Sequence, residues 1–305
     1  MKVLLTGASG FLGTALIPKL IARGDVVYGL SRHPPAPAEN LTPLVGDVTK
    51  PDLGLEESLK GIRAVYHLAA IHRLGGDRDG SIWETNVEGT KNVIRFCEEN
   101  DIGHLFFCST TYTQGRNVYE ESKSQCEQMV AQSEVPKITI FKPSIVMGTK
   151  ENPYPGHFSQ FVALLIRAHR KAESLRRKVE DTLRLPVLEP VFRVKGDPDG
   201  HLNLVMIDEV VQGMARIRSS GVYWLTNPRP PTLAQLADWI GETTMVRFRF
   251  QVGDFHRTPL EAVVAREISA FDPYLWGDSF PSSIRSHPPI TWDLIRDTII
   301  NSLGI

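Results

Sequence analysis

The chain has 305 residues, of which 42% are hydrophobic and 23% charged, an ordinary composition for a globular protein with one large α/β unit and a smaller addition. Its formal net charge of −1 gives no reason to expect a nucleic-acid or membrane partner. No apolar run reaches the ~18 residues of a membrane-spanning helix, and the N-terminus lacks the layout of a signal peptide, so we expect a cytoplasmic protein.

The first half of the sequence alternates between two hydrophobic patterns. Apolar runs predict buried strands at 2–6, 25–30, 64–69, 104–109 and 138–142. Segments with helical periodicity lie between them, at 11–23, 84–99 and 119–132. This repetition of strand and helix predicts an α/β fold with a doubly wound parallel sheet.

The pattern changes after about residue 150. Further elements are predicted as a helix at 158–180, a strand and a helix within 201–217, a strand at 222–225, a helix opened by a capping box at 232–235, and a helix near 292–302. We expect 1–150 and 196–228 to form the sheet domain. The segments 151–195 and 229–305 are expected to form a smaller, discontinuous domain.

Three cysteines, Cys97, Cys108 and Cys126, match no zinc-binding spacing, so we expect reduced buried thiols and no metal site. Cys108 lies in an apolar run, where burial raises the pKa of a thiol and makes it a poor nucleophile.

A glycine-rich turn joins the first predicted strand to the first helix. Gly7, Gly10 and Gly13 permit a tight turn, close approach of a pyrophosphate to the backbone, and free amide groups at the helix start. An ordinary turn can carry the same glycines. Their position between an N-terminal strand and an apolar helix favours a dinucleotide site.

The end of the second strand indicates which dinucleotide is bound. An acidic residue there would bind the ribose hydroxyls of NAD, but the sequence has Ser31 followed by Arg32. A guanidinium group binds a 2′-phosphate well, so NADP is favoured and NAD stays open. The alternative for Arg32 is a solvated surface arginine. Asp47 is expected to reach the adenine or to hold a turn.

Four residues are candidates for catalysis. Tyr119 and Lys123 are four residues apart and share one face of a predicted helix, where the lysine cation lowers the phenol pKa from its usual value of about 10. Thr110 ends a strand, where its hydroxyl could bind a substrate oxygen. Asn86 could anchor a water leading to Lys123. Each residue alone has a structural explanation, whereas together they favour hydride transfer.

The motifs resemble those of the extended short-chain dehydrogenase/reductases, which include the NAD-dependent epimerase/dehydratases. They are Thr6-Gly7-x-x-Gly10-x-x-Gly13, Gly46-Asp47-Val48, His67-Leu68-Ala69-Ala70, Asn86-Val87-x-Gly89-Thr90, Ser109-Thr110, Tyr119-x-x-x-Lys123 and Lys142-Pro143-Ser144-x-x-x-Gly148. The resemblance implies a Rossmann domain that binds the dinucleotide, a second domain that binds the substrate, and a Thr110–Tyr119–Lys123 catalytic set.

The cofactor-binding residues expected on this basis are Thr6, Gly7, Gly10, Phe11, Leu12, Gly13, Ser31, Arg32, Asp47, Val48, Leu68, Ala69, Ala70, Tyr119, Lys123, Pro143 and Ile145. Segments 46–55, 109–115 and 203–208 also resemble thioester and fatty acyl reductases, which use NADPH to reduce acyl thioesters or aldehydes. Two features depart from the family pattern: Thr110 and Tyr119 are only nine residues apart, and Lys142 replaces the usual arginine before Pro143.

The sequence therefore predicts an NAD(P)-dependent oxidoreductase that reduces a carbonyl or acyl thioester of a small molecule. The alternatives are a nucleotide-sugar epimerase with tightly bound NAD, and a non-catalytic NADP sensor or partner-binding protein. Arg167, His169, Arg170, Lys171, Arg176, Arg177 and Lys178 form a basic helix segment. It is either a solvated face or a landing surface for a carrier such as coenzyme A or phosphopantetheine. Relatives often dimerise, so a homodimer is a further expectation.

Overall fold

The computed structural model describes residues 1–74, 76–154, 156–184 and 191–304, which divide into two compact units. The first unit comprises Met1–Ser144, Val205–Thr226 and Phe280–Arg285. The second comprises Ile145–Leu204, Asn227–Ser279 and Ser286–Ile305. This partition differs from the sequence-based division in two ways: 280–285 belong to the sheet unit, and 145–150, 196–204 and 227–228 belong to the second unit.

In the first half of the chain the strands lie close to the predicted positions, except β3, for which no apolar run was identified. Their bounds are β1 Lys2–Thr6, β2 Val26–Ser31, β3 Leu41–Val45, β4 Ala64–His67, β5 His104–Cys108, β6 Ile138–Pro143, β7 Ile145–Met147, β8 Phe192–Lys195, β9 Leu204–Met206, β10 Gly221–Leu225 and β11 Phe248–Gln251. Seven of them form one sheet in the order β10-β6-β5-β4-β1-β2-β3, and every pair in it is parallel. The predicted doubly wound parallel sheet is confirmed.

The helices of the first unit alternate with the strands of this sheet, and the others belong to the second unit. Their bounds are α1 Phe11–Ala22, α2 Ser81–Trp83, α3 Gly89–Glu99, α4 Val118–Gln132, α5 His157–Leu183, α6 Ile207–Arg216, α7 Leu233–Thr244, α8 Pro259–Ile268 and α9 Trp292–Leu303. A π-helical turn, Glu84–Glu88, joins α2 to α3, and 3₁₀ turns lie at Pro51–Gly54 and Ser269–Tyr274. None of the helices in the described ranges combines the length and apolar character needed to cross a bilayer.

The core of the first unit fixes α4 beside β5. Leu4, Val65 and Leu105 are fully buried in the sheet and belong to one apolar cluster with Val93 of α3 and Val130 of α4. This apolar packing stabilises the unit because it removes large side chains from water. Lys123 of α4 lies against the carboxyl end of β5, where its ammonium donates to the Cys108 carbonyl oxygen.

The second unit contains elements that periodicity alone did not indicate. The strands β8 and β11 pair in parallel, and Phe161 of α5 packs edge-on against Phe248 of β11. Capping boxes open α7 at Thr232, as predicted, and α8 at Thr258. The Thr-Pro-x-Glu pattern that begins at Thr258 is a sequence signal that predicts the start of α8.

Candidate active site

The glycine turn has the backbone geometry of a phosphate-binding turn. Gly7 has a φ of 73°, in the left-handed region that favours glycine, and the Gly10 amide donates to its carbonyl oxygen over 2.9 Å. A methyl group on Gly7 would lie 2.8 Å from the Ala69 amide nitrogen. One on Gly13 would overlap the Gly7 carbonyl oxygen. Side chains here would therefore fill the space between the turn and the segment after β4.

A cleft of about 240 Å³ lies over this turn within the first unit. The predicted cofactor residues that line it are Gly7, Gly10, Ser31, Arg32, Asp47, Val48, Leu68, Ala69 and Ala70. Ser9, Leu30, His33, Gly46, Ile71 and Thr85 also line it and were not predicted. The lining joins the carboxyl ends of β1, β2 and β4, which is where open parallel sheets bind dinucleotides.

One buried hydroxyl in this cleft is unsatisfied. Ser31 is 9% exposed, and its Oγ has no hydrogen-bond partner among the described residues. A buried polar atom without a partner costs free energy, so a ligand atom at this position would be stabilising. The exposed Arg32 follows it at the same edge. The cleft therefore fits a dinucleotide. Ser31 and Arg32 lie at the edge where the ribose of the adenosine half would bind.

Asp47 holds a turn at the edge of the cleft. Its Oδ1 accepts hydrogen bonds from both the amide and the hydroxyl of Thr49, each 2.9 Å long. Asp47 also lines the cleft, so the structure shows its role in the turn, and contact with the adenine stays a prediction.

The remaining predicted cofactor residues lie outside the cleft lining. Phe11, Leu12 and Gly13 form the first turn of α1, Pro143 ends β6, and Ile145 begins β7 in the second unit. Thr6 is fully buried, and its Oγ1 lies 2.7 Å from Nδ1 of His67 and 3.3 Å from the donating amide of Ala69. Thr6 thus holds the segment that lines the cleft.

A buried hydrogen-bond chain runs through His67. Nε2 of His67 lies 3.1 Å from Thr90 Oγ1, and that hydroxyl donates to the Asn86 carbonyl oxygen over 2.5 Å. The Thr90 hydroxyl therefore accepts from Nε2–H, which leaves Nδ1 to accept from Thr6. Burial, together with the charge of Lys123, lowers the pKa of His67 to about 3, so the ring is neutral. The sequence identified His67 only as part of the His67-Leu68-Ala69-Ala70 motif and did not indicate this hydrogen-bond chain.

Asn86 lies in the π-helical turn and binds two separate segments. Its Oδ1 accepts from the Ile71 amide over 2.8 Å, while its Nδ2 donates to the Ile71 carbonyl oxygen over 3.0 Å and to Ser122 Oγ over 2.9 Å. Both amide hydrogens are thus used. Asn86 connects the cleft wall after β4 directly to α4, between Tyr119 and Lys123, where the sequence led us to expect a water-mediated contact.

Lys123 is a buried cation at the carboxyl end of β5. It is 4% exposed, its ammonium donates to the Cys108 carbonyl oxygen over 2.6 Å, and it lies 4.5 Å from the centre of the Phe107 ring. The described residues give it no carboxylate partner. Its charge contributes to the lowered pKa of His67 and His72. Burial raises the pKa of the Cys108 thiol to about 11, as the sequence predicted for this residue.

Thr110 and Tyr119 both precede this lysine in the chain. Thr110 is buried just beyond β5, and its Oγ1 accepts from the Tyr112 amide over 3.3 Å. Tyr119 is half-buried in the first turn of α4, where Asn117 caps the helix by accepting from the Glu120 amide over 3.0 Å. Thr110, Tyr119 and Lys123 are therefore placed at the end of β5 and along α4, whereas Asn86 lies in the π-helical turn between α2 and α3 of the same unit.

A comparison with protein families identifies the chain. The model of the NAD dependent epimerase/dehydratase family matches residues 3–218, which is more than half of the sequence. The chain belongs to this family. Membership confirms the resemblance drawn from the motifs, and it agrees with the parallel sheet and with the glycine turn that begins the cleft.

Named relatives of this epimerase/dehydratase family member include reductases. It is 38% identical over 112 residues to a 2-alkyl-3-oxoalkanoate reductase of Stenotrophomonas maltophilia, a match that covers 36% of this chain and 33% of the relative. It is 25% identical over 265 residues to a 2-alkyl-3-oxoalkanoate reductase of Shewanella oneidensis, with 77% of this chain and 64% of the relative covered. The chain therefore spans less than two thirds of the length of these curated relatives.

A solved structure with the same fold is the terminal R domain from the myxalamid PKS-NRPS biosynthetic pathway. It shares 20% sequence identity with this chain at a TM-score of 0.67, with 99% of this chain and 90% of that domain covered. At this identity the similarity shows the fold alone.

Proposed function

We propose that this protein is an NADPH-dependent reductase of small-molecule carbonyl compounds. The observation that carries the proposal is the burial of the Lys123 ammonium at the end of β5, one helical turn from Tyr119 and in the same unit as the dinucleotide cleft. Burying a lysine cation is costly. A cation kept there without a carboxylate partner is well suited to stabilise a phenolate.

The choice of NADPH rests on the edge of the cleft at the end of β2. Arg32 is exposed there, and the unsatisfied Ser31 hydroxyl stands where an acidic residue would bind the ribose of NAD. A guanidinium group can bind a ribose 2′-phosphate through two hydrogen bonds, whereas the carboxylate typical of NAD sites would repel it.

The chain's own residues then have distinct roles. Bound NADPH supplies the hydride that forms the new C–H bond at the carbonyl carbon. Tyr119 donates its phenolic proton to the carbonyl oxygen, so that an alcohol is formed. Thr110 donates a hydrogen bond to the same oxygen as negative charge develops on it. Lys123 stabilises the phenolate that remains on Tyr119 until a proton from solvent restores it.

A free carbonyl compound is preferred over a carrier-bound thioester. The relatives named as 2-alkyl-3-oxoalkanoate reductases support reduction of a 3-oxo group, a ketone β to the carboxyl carbon. The basic helix that suggested a carrier is partly neutralised by its neighbours. Lys171 pairs with Glu267 over 2.9 Å, and Arg176 pairs with Glu173 over 2.9 Å and with Glu180 over 3.2 Å.

NADPH oxidation with three classes of substrate tests the proposal. Ethyl 2-methylacetoacetate represents 2-alkyl-3-oxoalkanoates, octanoyl-coenzyme A represents thioesters, and UDP-glucose represents the epimerase alternative. We expect NADPH consumption with the first. Tyr119→Phe should lower kcat by at least about 100-fold, the contribution of a general acid, while the NADPH dissociation constant stays within about twofold. Tyr28→Phe, which alters a β2 side chain outside the cleft lining, is the matched control.

The alternatives give different results in the same assays. An epimerase interconverts UDP-glucose and UDP-galactose without net cofactor consumption. A sensor binds NADPH and turns over none of the three substrates. Either result, or unchanged turnover in Tyr119→Phe, contradicts the proposed mechanism.

A further inference from the structure

We propose that Glu127 and Lys142 form a positioning pair that fixes the strand end carrying Thr110 against the helix carrying Tyr119 and Lys123. This inference rests on the proposed function, because it assigns the pair to the same catalytic set. The pair gives a role to both departures of the sequence from its family pattern. Lys142 is one of its partners, and the ammonium of Lys142 also bonds Thr113 in the short segment between Thr110 and Tyr119.

Glu127 extends the catalytic face of α4. It lies one helical turn beyond Lys123 and two turns beyond Tyr119, so the three side chains project from the same side of the helix. Its carboxylate accepts a hydrogen bond from the hydroxyl of Ser109, the neighbour of Thr110. The catalytic helix is thus bonded directly to the strand end.

Lys142 completes the connection from the adjacent strand. Its ammonium bonds both oxygens of Glu127, Oε1 over 2.7 Å and Oε2 over 2.9 Å, and donates to Thr113 Oγ1 over 3.3 Å. It also lies 4.9 Å from the centre of the Trp224 ring, its partner on β10. One cation therefore holds α4, the first residues of the 113–118 segment and the edge of the sheet together.

The aromatic neighbours enclose this cation. Trp224 stacks on Phe280 with 6.0 Å between ring centres, and Phe280 meets the Tyr112 ring edge-on at 5.1 Å. The side chain of Lys142 is only 7% exposed and that of Glu127 22% exposed. Removing one partner of a buried pair leaves the other charge uncompensated, so the local structure has to rearrange.

The geometry matters for catalysis because Thr110 and Tyr119 act on the same substrate oxygen. The backbone continues the sheet pairing beyond β5, with the Ser109 amide donating to Phe141 over 2.8 Å and the Thr111 amide to Pro143 over 2.9 Å. The Glu127–Lys142 pair and its bond to Ser109 add a second charged connection from this strand end to α4, beside the bond from the Lys123 ammonium to the Cys108 carbonyl oxygen. A shift of about 1 Å between two catalytic groups can lower turnover by about 100-fold.

The experiment compares amide hydrogen exchange with turnover in four variants. Lys142→Met removes the charge, Lys142→Arg keeps it, and Thr113→Val removes one hydrogen bond without leaving a buried charge. Lys91→Met is the matched control, because Lys91 forms an exposed 2.7 Å pair with Glu88 far from this cluster in the sequence. Ethyl 2-methylacetoacetate and NADPH are the turnover probes.

We expect Lys142→Met to speed exchange in 109–118 but not in 1–31, and to lower kcat by at least about tenfold with the KM for NADPH within about twofold. Lys142→Arg should restore kcat to within about threefold of the wild type, and Lys91→Met should change neither readout. Thr113→Val should speed exchange in 109–118 and lower kcat in the same way, by smaller amounts. If Lys142→Met does not fold, Thr113→Val tests the positioning role in its place.

Unchanged exchange in 109–118, or a uniform acceleration over the whole chain with normal kcat, overturns the positioning role. Wild-type protein that turns over no substrate refutes the proposed function instead. In that case the exchange of 109–118 alone decides whether the pair holds the strand end to the helix.

Discussion

Replacing Gly7 by alanine tests the geometry of the cofactor turn. The φ of 73° at Gly7 is one that an alanine adopts at a cost of about 1–2 kcal/mol. The added methyl group would also lie 2.8 Å from the Ala69 nitrogen and 3.0 Å from both the Ala69 Cα and the Leu68 carbonyl carbon. Displacing backbone atoms of this kind costs about 1–3 kcal/mol more.

Gly24 separates the two contributions. Its φ is 87°, and a methyl group added there meets no heavy atom of the described residues within 4 Å beyond its chain neighbours. Gly24→Ala should therefore lower the free energy of unfolding by about 1–2 kcal/mol, and Gly7→Ala by about 2–5 kcal/mol. The difference between the two variants is the cost of pushing the cleft wall away from the turn.

Urea unfolding measures these free energies, and NADPH fluorescence titration measures binding. We expect Gly7→Ala to raise the NADPH dissociation constant by at least about tenfold, or 1.4 kcal/mol, because the displaced 68–70 segment lines the cleft. Gly24→Ala should leave it unchanged. Equal destabilisation in the two variants together with equal NADPH affinity would refute the assignment of this turn to the cofactor.

Three further predictions concern charge and protonation. Arg32→Ala should raise the dissociation constant of NADPH by about 10–100-fold and leave that of NADH within about twofold; equal losses for both cofactors would exclude a 2′-phosphate contact. The pKa of His67 is lowered from its ordinary value of 6.5 to about 3 in the folded protein, so the unfolded state binds one more proton than the folded state at pH 5. The free energy of unfolding should therefore drop by about 2 kcal/mol between about pH 7 and pH 5. Urea unfolding should show that the free energy of unfolding falls less steeply with decreasing pH in His67→Asn than in the wild type. Equal pH dependence in the two proteins would contradict a neutral, buried His67. The buried thiols, with the pKa of Cys108 near 11, should react with Ellman's reagent only after unfolding, so stoichiometric labelling of native protein would be inconsistent with this structure.

The sheet could be predicted because most of its strands correspond to short apolar runs in the sequence. Lys2–Thr6 and His104–Cys108 are almost entirely buried, so every position in them is under the same hydrophobic constraint. The strand Leu41–Val45 lies at the sheet edge and contains Pro43, and its mixed composition gave no clear run. Strand prediction thus succeeded where the apolar run was continuous and missed the edge strand whose run is interrupted.

The residues of the site could be named from motifs, whereas their contacts could not. Tyr119 and Lys123 follow from helical spacing, but the bond from Lys123 to the Cys108 carbonyl depends on how α4 packs on β5. Asn86 lies in a π-helical turn, which changes the direction of its side chain relative to an α-helix. No local pattern indicates such a turn.

The Glu127–Lys142 pair is the clearest case of information that the sequence hides. A lysine in an apolar strand and a glutamate in a helix are usually exposed to solvent, and these two residues are 15 positions apart in the sequence. Only the packing of α4 against β6 brings the two charges together, and the return of Phe280 to the sheet unit adds to their enclosure.

Transfer of deuterium from NADPH labelled at the nicotinamide C4 tests the central claim most directly. Hydride leaves from one face of the nicotinamide ring, so two NADPH samples are prepared, each with deuterium on one of the two C4 faces. The product formed from ethyl 2-methylacetoacetate with each sample is examined by mass spectrometry. One epimer should give an alcohol carrying deuterium at the former carbonyl carbon, with one NADPH consumed for each molecule formed. An alcohol without deuterium from either epimer, or sugar epimerisation without NADPH consumption, would contradict the account.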